Sequence, residues 1–319
     1  MMIKNISVLG AGTMGHCIAE TFAIHGYEGA LQDTSEELCR NVKDIIRSEI
    51  LFLQENGLYL EKDISEIMKR ITVFTDLEDA VTDADYVIEA VFEDLALKQE
   101  LFKKLDRFCK KDAILASNTS TLPLQKMIAG ISEQRKKRVM VNHWYNPAHI
   151  VPIAELSFFG NMDEGVYEEV AALYKCIGKQ VVKVKKDIPG LIANRIQQAI
   201  AREVFSLIEQ DAADPEDIER ALTFGPAFRY ATTGQLTIAD FGGIDIWTVS
   251  LDNILPHLEK GQSANLILKK LMKENKLGFK TGEGFFKYPE AEKKMIKENY
   301  FRKLIKQAIV CRSYTNQEE

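Results

Sequence analysis

Cysteine and tryptophan are scarce in this chain of 319 residues, which contains five cysteines and two tryptophans. The cysteines are scattered and form no Cys-x-x-Cys pair, so their spacing predicts neither a structural zinc site nor a disulfide framework. No apolar run approaches the roughly 18 residues of a transmembrane helix. The formal net charge of -6 lacks the basic excess that nucleic-acid-binding surfaces carry. We therefore expect no metal, no membrane and no nucleic acid among the partners of this protein.

Little sequence precedes the first apolar run, because Met1–Asn5 lead directly to Ile6–Leu9. We therefore expect no signal peptide, and an odd number of dispersed cysteines is typical of a reducing compartment. Hydrophobic residues make up 46% of the chain, which excludes general disorder. We expect a cytoplasmic protein, and two domains are the default at this length.

Short apolar runs alternate with longer helical patterns in the first part of the chain. Near-continuous apolar runs such as Tyr86–Val91 are typical of parallel strands that are covered on both faces. The alternation predicts an α/β fold with a doubly wound, Rossmann-type sheet. The predicted strands are Ile6–Leu9, Ala30–Gln32, Ile71–Phe74, Tyr86–Val91, Ile114–Ser117, Val139–His143, Ile153–Leu156 and Val181–Val184. The predicted helices are Met14–His25, Glu36–Asn56, Leu95–Phe108 and Glu164–Ile177.

The pattern changes after Lys186. A long helix is predicted to begin at Asp187-Ile-Pro189-Gly190, with Asp187 as its N-cap and Pro189 in its first turn. Beyond it, helical patterns are joined by Gly/Pro turns, and no strand ladder is evident. We therefore predict an NAD-binding Rossmann domain over 1–186, an all-helical domain over 187–290 and an amphipathic C-terminal helix over 291–319.

A Gly-x-Gly-x-x-Gly motif follows the first predicted strand and opens the first predicted helix. In that context the glycines permit a tight turn, close approach of a pyrophosphate and close helix–strand packing. Asp33 closes the second predicted strand, where a carboxylate accepts hydrogen bonds from the adenosine ribose and repels a 2′-phosphate, so NAD is favoured over NADP. The alternative is a glycine turn without a ligand. The predicted dinucleotide contacts in the loop are Gly10, Gly12, Thr13, Met14 and Gly15.

A histidine, His143, ends another predicted strand, and Glu155 follows it on the next one. Strand ends at the carboxyl edge of a parallel sheet face the cofactor cleft. A histidine held there by a carboxylate can exchange a proton with a substrate hydroxyl near neutral pH. From spacing alone, the alternative is a buried structural histidine.

Five motifs that occur in order along the chain resemble the 3-hydroxyacyl-CoA dehydrogenase superfamily. They are Gly10-Ala-Gly-Thr-Met-Gly15, Ala116-Ser-Asn-Thr-Ser120, His143-Trp-Tyr-Asn-Pro147 with Glu155, Pro189-Gly-Leu-Ile-Ala-Asn194-Arg195, and Lys280-Thr-Gly-Glu-Gly-Phe-Phe286. The resemblance covers the chain from residue 3 to about 288. It implies an NAD-dependent dehydrogenase of fatty acid metabolism, most simply for short-chain (S)-3-hydroxyacyl-CoA. It also implies a homodimer formed through the helical domain.

The resemblance also implies roles for individual residues. The residue matching His143 is the acid/base, and the one matching Glu155 orients it. Those matching Ser117 and Asn194 hold the substrate oxygen. The positions matching known dinucleotide contacts are Asp33, Glu93, Lys98, Ser117, Asn146 and Lys280.

The helical hairpin after the second strand departs from the family pattern. Members that use coenzyme A carry a serine and a lysine there, and an ungapped count places Glu49 and Asn56 at those positions. A carboxylate facing a CoA phosphate is repulsive, although Lys43 or Arg47 can substitute.

A second departure is Arg229, where acyl-CoA members are uncharged. An arginine there resembles the branch that acts on free hydroxy acids, such as L-gulonate and carnitine dehydrogenases, and can clamp a carboxylate through two hydrogen bonds. The alternative for Arg229 is a surface or interdomain salt bridge. Two other histidines are expected outside catalysis: His16 is exposed or beside the cofactor, and His149 serves a loop.

Overall fold

The computed structural model describes residues 3–315, which divide into two compact units. The first unit is the chain up to Asn194 together with Leu304–Ile309. The second comprises Arg195–Lys303 and the chain from Val310 onward. The division therefore falls a few residues beyond the predicted boundary at 186.

The first unit is built on one sheet of eight strands in the order β3-β2-β1-β4-β5-β6-β7-β8. The strands are β1 Asn5–Leu9, β2 Glu28–Gln32, β3 Ile71–Phe74, β4 Tyr86–Glu89, β5 Ile114–Ser117, β6 Val139–Trp144, β7 Ile153–Ser157 and β8 Gln180–Val184. Neighbouring strands are parallel except β6 and β7, which are antiparallel. The predicted doubly wound sheet is confirmed, and each predicted strand is present.

Helices cover this sheet, and acidic or hydroxyl side chains begin several of them. The Ser35 hydroxyl accepts the Leu38 N–H, and Asp94 accepts the Leu97 N–H at 2.8 Å, as N-caps do. The helices that begin before residue 185 are α1 Gly15–Ile24, α2 Glu36–Glu55, α3 Ile64–Lys69, α4 Leu77–Val81, α5 Leu95–Phe108, α6 Leu124–Met127, α7 Glu133–Lys136 and α8 Glu164–Cys176. The four helices predicted in this part agree with α1, α2, α5 and α8 to within a residue at each end.

The second unit is helical, as predicted. Its described residues contain no named strand, only isolated bridges of Glu283 with Gly278 and Lys287. The remaining helices are α9 Ala193–Glu209, α10 Pro215–Phe224, α11 Pro226–Tyr230, α12 Gln235–Gly242, α13 Ile244–Ile254, α14 Leu266–Lys273 and α15 Lys293–Thr315, with short 3-10 turns at Leu255–His257 and Glu290–Glu292. Within α15, Ile305 and Ala308 are buried. Among residues 3–315, no helix has both the length and the apolar character that a membrane crossing requires.

The predicted start of the long helix at Asp187 is wrong, because α9 begins only at Ala193. Asp187 instead accepts the N–H of Leu124 at 2.9 Å, at the start of α6. Gly190 and Leu191 have φ of 81° and 49°, so the chain passes through left-handed backbone before the helix begins. This turn places the first amides of α9 beside the sheet.

A buried polar cluster lies under β6. The Asn142 amide donates to the hydroxyls of Tyr86 and Tyr174, and the Trp144 indole N–H donates to Tyr174 at 3.0 Å. All four side chains are buried, and burial raises the pKa of Tyr86 well above its usual range. Since buried polar groups are stable when they are hydrogen-bonded, this cluster holds β6 against α8. It thereby fixes the strand that carries His143.

Candidate active site

The antiparallel pairing of β6 and β7 sets His143 directly opposite Glu155. Side chains of directly opposed residues lie on the same face of the sheet, and His143 Nδ1 is 2.8 Å from Glu155 Oε2. The carboxylate is fully buried. Its other oxygen accepts the amides of Ile192 and Ala193 at 2.9 and 3.0 Å. One carboxylate therefore joins β7, β6 and the first turn of α9.

These contacts fix the charge of Glu155 and the tautomer of His143. Burial raises the pKa of Glu155, but the hydrogen bonds from His143 and the two amides outweigh it, so the net pKa lies below its usual range. A carboxylate only accepts, so Nδ1 carries the hydrogen and the neutral imidazole keeps its lone pair on Nε2. His143 is thus prepared to accept a proton at Nε2.

Tyr145, two residues after His143, orients Asn194. The Tyr145 hydroxyl donates to Asn194 Oδ1 at 2.7 Å, and its ring lies edge-on to the His143 ring with centroids 5.4 Å apart. Burial, with a smaller contribution from Glu155, raises the pKa of Tyr145 to about 12, so it remains a donor. The amide N–H groups of Asn194 are then left to face another acceptor. Sequence reasoning missed Tyr145, although it stands inside the His143 motif.

The loop after β5 is organised by a second carboxylate. Glu93 Oε1 accepts the hydroxyls of Thr119 and Thr121 at 2.6 and 2.9 Å, and Oε2 lies 3.1 Å from Lys98 Nζ. Burial raises the pKa of Glu93, but these hydroxyls and the lysine charge together lower it to about 2. The lysine is itself buried and also contacts Glu89 at 2.7 Å. The predicted residues Glu93 and Lys98 therefore lie together at the carboxyl edge of the sheet.

Ser117 is also buried, and its hydroxyl is already engaged. Its Oγ donates to Glu89 Oε2 at 2.6 Å, so in this structure its hydrogen is not offered to a substrate oxygen. Ser120 in the same loop is half-buried, and its backbone carbonyl accepts the Gly190 N–H at 3.0 Å. That bond ties the loop to the turn that leads to Asn194.

The glycine loop has the shape that the motif predicts. A Cβ at Gly15 would stand 1.7 Å from the Gly10 carbonyl oxygen, and a Cβ at Gly10 would stand 2.7 Å from the Ala90 oxygen. Neither position tolerates a side chain, so loop, strand and helix pack in direct contact. A Cβ at Gly12 would meet no atom within 4 Å, and Gly12 is exposed. The open space over Gly12 fits a dinucleotide pyrophosphate at the helix N-terminus.

Asp33 follows β2 and lies beside this loop. Its Oδ2 accepts the Ala11 N–H and its Oδ1 accepts the Ser35 N–H, both at 2.8 Å. The half-buried carboxylate thus has its position fixed by two backbone amides at the carboxyl edge of the sheet. This is the position at which an acidic residue meets an adenosine ribose.

Other predicted residues lie elsewhere. Asn146 is exposed at the end of the His143 motif. Lys280 and Arg229 belong to the second unit, where Arg229 is exposed at the end of α11. Within the described residues of its own unit, Arg229 forms no ion pair.

Glu49 does not stand free on the hairpin. Its carboxylate turns toward α1, with Oε2 at 3.2 Å from His16 Nε2. His16 is accordingly not an exposed residue, since only 12% of its side chain is accessible. Asn56, the other departure, donates to the Phe52 carbonyl of its own helix.

Comparison with known proteins identifies two family matches. The family model of the 3-hydroxyacyl-CoA dehydrogenase NAD binding domain matches residues 5–188, and that of the 3-hydroxyacyl-CoA dehydrogenase C-terminal domain matches residues 190–288. Together they span both compact units.

Individual relatives cover nearly the whole chain. The 5-formyl-3-hydroxy-2-methylpyridine 4-carboxylate 5-dehydrogenase of Mesorhizobium japonicum is 31% identical over 95% of this chain and 97% of its own. The probable 3-hydroxybutyryl-CoA dehydrogenase of Bacillus subtilis is 34% identical over 91% of this chain and 99% of its own. A crystal structure of a 5-formyl-3-hydroxy-2-methylpyridine 4-carboxylic acid 5-dehydrogenase, described as an NAD+-dependent dismutase, superposes with a TM-score of 0.89. It is 29% identical and covers 98% of this chain and 99% of that one.

The position of Asp33 beside the glycine loop predicts that this residue helps to select NAD over NADP. Replacing Asp33 by Ala removes a charged acceptor at the ribose. We expect this change to weaken NADH binding about tenfold and to reduce the difference between the affinities for NADH and NADPH. Fluorescence titration with each nucleotide measures both affinities. Glu37→Ala, which removes an exposed carboxylate from the first turn of α2, is the matched control. An unchanged NADH/NADPH ratio in Asp33→Ala would mean that Asp33 does not face the ribose.

Proposed function

This chain belongs to the 3-hydroxyacyl-CoA dehydrogenase family, and from that premise we propose that it interconverts a short-chain (S)-3-hydroxyacyl-CoA and its 3-ketoacyl-CoA. It is an oxidoreductase that acts on a CH–OH group, and NAD is its cofactor. The observation that carries the proposed chemistry is the 2.8 Å contact between His143 Nδ1 and Glu155 Oε2.

His143 is the proposed acid/base. In the oxidising direction its Nε2 takes the proton of the substrate hydroxyl, and the buried Glu155 carboxylate stabilises the imidazolium that results. In the reducing direction the same imidazolium returns the proton to the developing alkoxide. NAD, when bound on the glycine loop, supplies the two-electron redox chemistry.

Neutral donors are proposed to polarise the substrate oxygen without competing for its proton. Asn194 is suited to this role because Tyr145 occupies its carbonyl and leaves its amide hydrogens. For the hydroxyl donor we favour Ser120 over Ser117, since the Ser117 hydrogen is bonded to Glu89.

The hairpin supports a CoA substrate better than the sequence suggested. Because Glu49 is paired with His16, it does not present its charge to a CoA phosphate. Lys43 and Arg47 are exposed one turn apart on α2, without an ion pair among the described residues. These two cations are the candidates for the CoA phosphates.

A second candidate is a free hydroxy acid or a related carboxylate. Arg229 is an exposed guanidinium that forms no ion pair within the described residues of its own unit, which suits a bidentate contact with a substrate carboxylate. The Mesorhizobium japonicum relative is named for a pyridine carboxylate, a substrate without CoA. This candidate retains the same acid/base chemistry and differs only in the group that anchors the substrate.

We also propose that the helical unit forms a homodimer. Several of its large apolar side chains are exposed, including Leu236 and Phe241 at 84% and 90%. Apolar exposure of this extent is typical of an interface with another chain. Symmetric dimers are the commonest form of soluble oligomer, which makes a second copy of this chain the simplest partner.

The proposed acid/base predicts the behaviour of His143→Gln. We expect kcat to fall by roughly 10²–10⁴-fold, the usual contribution of a positioned acid/base, while NADH affinity stays within experimental error. Stopped-flow turnover and NADH titration measure the two quantities. His257→Gln, which changes an exposed histidine of the second unit, should match the wild type. Wild-type turnover in His143→Gln would remove the residue from the mechanism.

The two serines are distinguished by a matched pair of alanine variants. Ser117→Ala leaves a buried carboxylate without one donor, so we expect a loss of about 1–3 kcal/mol in the free energy of unfolding. Ser120→Ala should leave stability unchanged and lower kcat by roughly 10²-fold. Denaturant unfolding and steady-state kinetics test both. A loss of kcat confined to Ser117→Ala at unchanged stability would return the donor role to Ser117.

The substrate is tested by NADH oxidation with acetoacetyl-CoA, acetoacetate and 3-dehydrocarnitine at equal concentrations. The proposal predicts rapid oxidation with the thioester alone and no effect of Arg229→Met. Arg220→Met, at an arginine already paired with Asp217, is the control for loss of a surface charge. Oxidation with a free acid that is lost in Arg229→Met would establish the carboxylate candidate instead.

A further inference from the structure

A group of ligand-type side chains in the first unit takes no part in the proposed reaction. His16 and Glu20 belong to α1, Glu49 belongs to α2, and His149 follows β6. One ligand atom from each of Glu20, Glu49 and His149 lies within 4.8 Å of the other two. His16 Nε2 adjoins the same group, 3.2 Å from Glu49 Oε2. These residues come from three separate segments, which is why no spacing motif reveals them.

Glu20 is the member of this group whose burial is energetically most unfavourable. It is fully buried, and among the described residues its carboxylate oxygens have no hydrogen-bond partner other than the neighbouring Glu49 carboxyl group. A buried carboxylate without donors is strongly destabilised unless it is protonated or meets a cation. Burial, followed by the neighbouring charge of Glu49, raises the pKa of Glu20 well above its usual range. Either a proton shared by the two carboxyl groups or a cation bound between them satisfies this arrangement.

His16 is oriented as metal-binding histidines are. Its Nδ1 lies 2.6 Å from the Gly12 carbonyl oxygen, which only accepts, so Nδ1 carries a hydrogen. Its Nε2 faces Glu49 Oε2 at 3.2 Å, so in the ion-free protein Nε2 also carries a hydrogen, which a metal ion would displace on binding. A bond from the second ring nitrogen to a backbone carbonyl is the usual support of a histidine ligand.

His149 supplies a second imidazole in the required form. Burial lowers its pKa to about 4, so the ring is neutral at pH 7, the form that binds metals. Lys179 Nζ donates to the carbonyls of Ala148 and Val151 at 2.6 Å each and so holds the turn that carries His149. Cys17 Sγ lies 3.3 Å from His16 Nε2, and burial raises the pKa of its thiol.

We propose that Glu20, Glu49, His149 and His16 bind one divalent transition metal ion, of which Zn²⁺ is the best fit. Two imidazole nitrogens and two carboxylate oxygens form a ligand set that suits Zn²⁺ and the neighbouring metals. In a tetrahedral Zn²⁺ site with bonds near 2.0 Å, ligand atoms stand about 3.3 Å apart. The ligand atoms of Glu20, Glu49 and His149 lie within 4.8 Å of one another and would draw closer on binding. The ion neutralises the two buried carboxylates and, through His16 and Gly12, braces the glycine loop.

The test uses the full-length protein after treatment with EDTA and dialysis. Titration with Zn²⁺ should show one ion per chain, and Co²⁺ should give the visible absorption of a tetrahedral nitrogen–oxygen site. Glu20→Gln and His149→Asn should each weaken Zn²⁺ binding at least about 100-fold, whereas Glu37→Gln and His257→Asn should not change it. Zn²⁺ should raise the melting temperature of the wild type but not of Glu20→Gln. Circular dichroism establishes that each variant is folded, and Glu49→Gln replaces any variant that is not.

Two results would overturn the proposal. Equal Zn²⁺ affinity in the wild type and in Glu20→Gln would mean that the ion binds elsewhere. A wild type that binds neither metal, with Glu20→Gln melting higher than it at every metal concentration, would mean that a shared proton holds the two carboxyl groups together. Neither result bears on the proposed dehydrogenase activity, since none of the four ligands is assigned to that reaction.

Discussion

The carboxylate of Glu155 is the contact on which the arrangement of the candidate active site depends. It accepts a hydrogen bond from His143 Nδ1 across the antiparallel β6–β7 pair. It also accepts hydrogen bonds from two backbone amides at the start of α9. Removing it from water is unfavourable, and only a complete set of donors offsets that penalty. The chain supplies three donors from two segments, so the histidine, its tautomer and the position of Asn194 are determined together. A different register of β7 would turn Glu155 to the other face of the sheet and lose all three contacts.

Carboxylates that accept several hydrogen bonds also organise the loop after β5. Glu89 and Glu93 flank the buried Lys98 and gather the hydroxyls of Ser117, Thr119 and Thr121. Both carboxylates lie at or just beyond the end of β4, where parallel strands leave unpaired amides at one edge of the sheet. Dehydrogenase chemistry needs the cofactor loop and the substrate donors held rigidly side by side. These two carboxylates, of which Glu89 is buried, provide that rigidity, and the glycine loop and Asp33 complete it on the other side of β1.

Much of the fold and part of the site followed from the sequence. The strands, α5 and the glycine loop were predicted closely, because backbone pairing and burial leave short-range periodic patterns in the chain. A prediction failed where a side chain bonds to a residue that is far away in the sequence. Asp187 resembled a helix cap but bonds to Leu124, and the αL turn at Gly190 delays the helix to Ala193. The role of Ser117 as a substrate donor stays a prediction, and the structure adds a bond from its hydroxyl to Glu89 that no local pattern records.

By itself, the sequence determined the family, the doubly wound sheet, the cofactor and the identity of the acid/base candidate. These properties reside in short motifs and in periods of two and 3.6 residues, which act locally. Only the tertiary structure decided which carboxylate meets which donor. Glu49 lies 33 residues from His16 in the chain, yet the crossing of α2 over α1 joins them and draws Glu20 and His149 into the same buried space. Electrostatic partners are set by three-dimensional proximity and burial, and sequence separation carries almost no information about either.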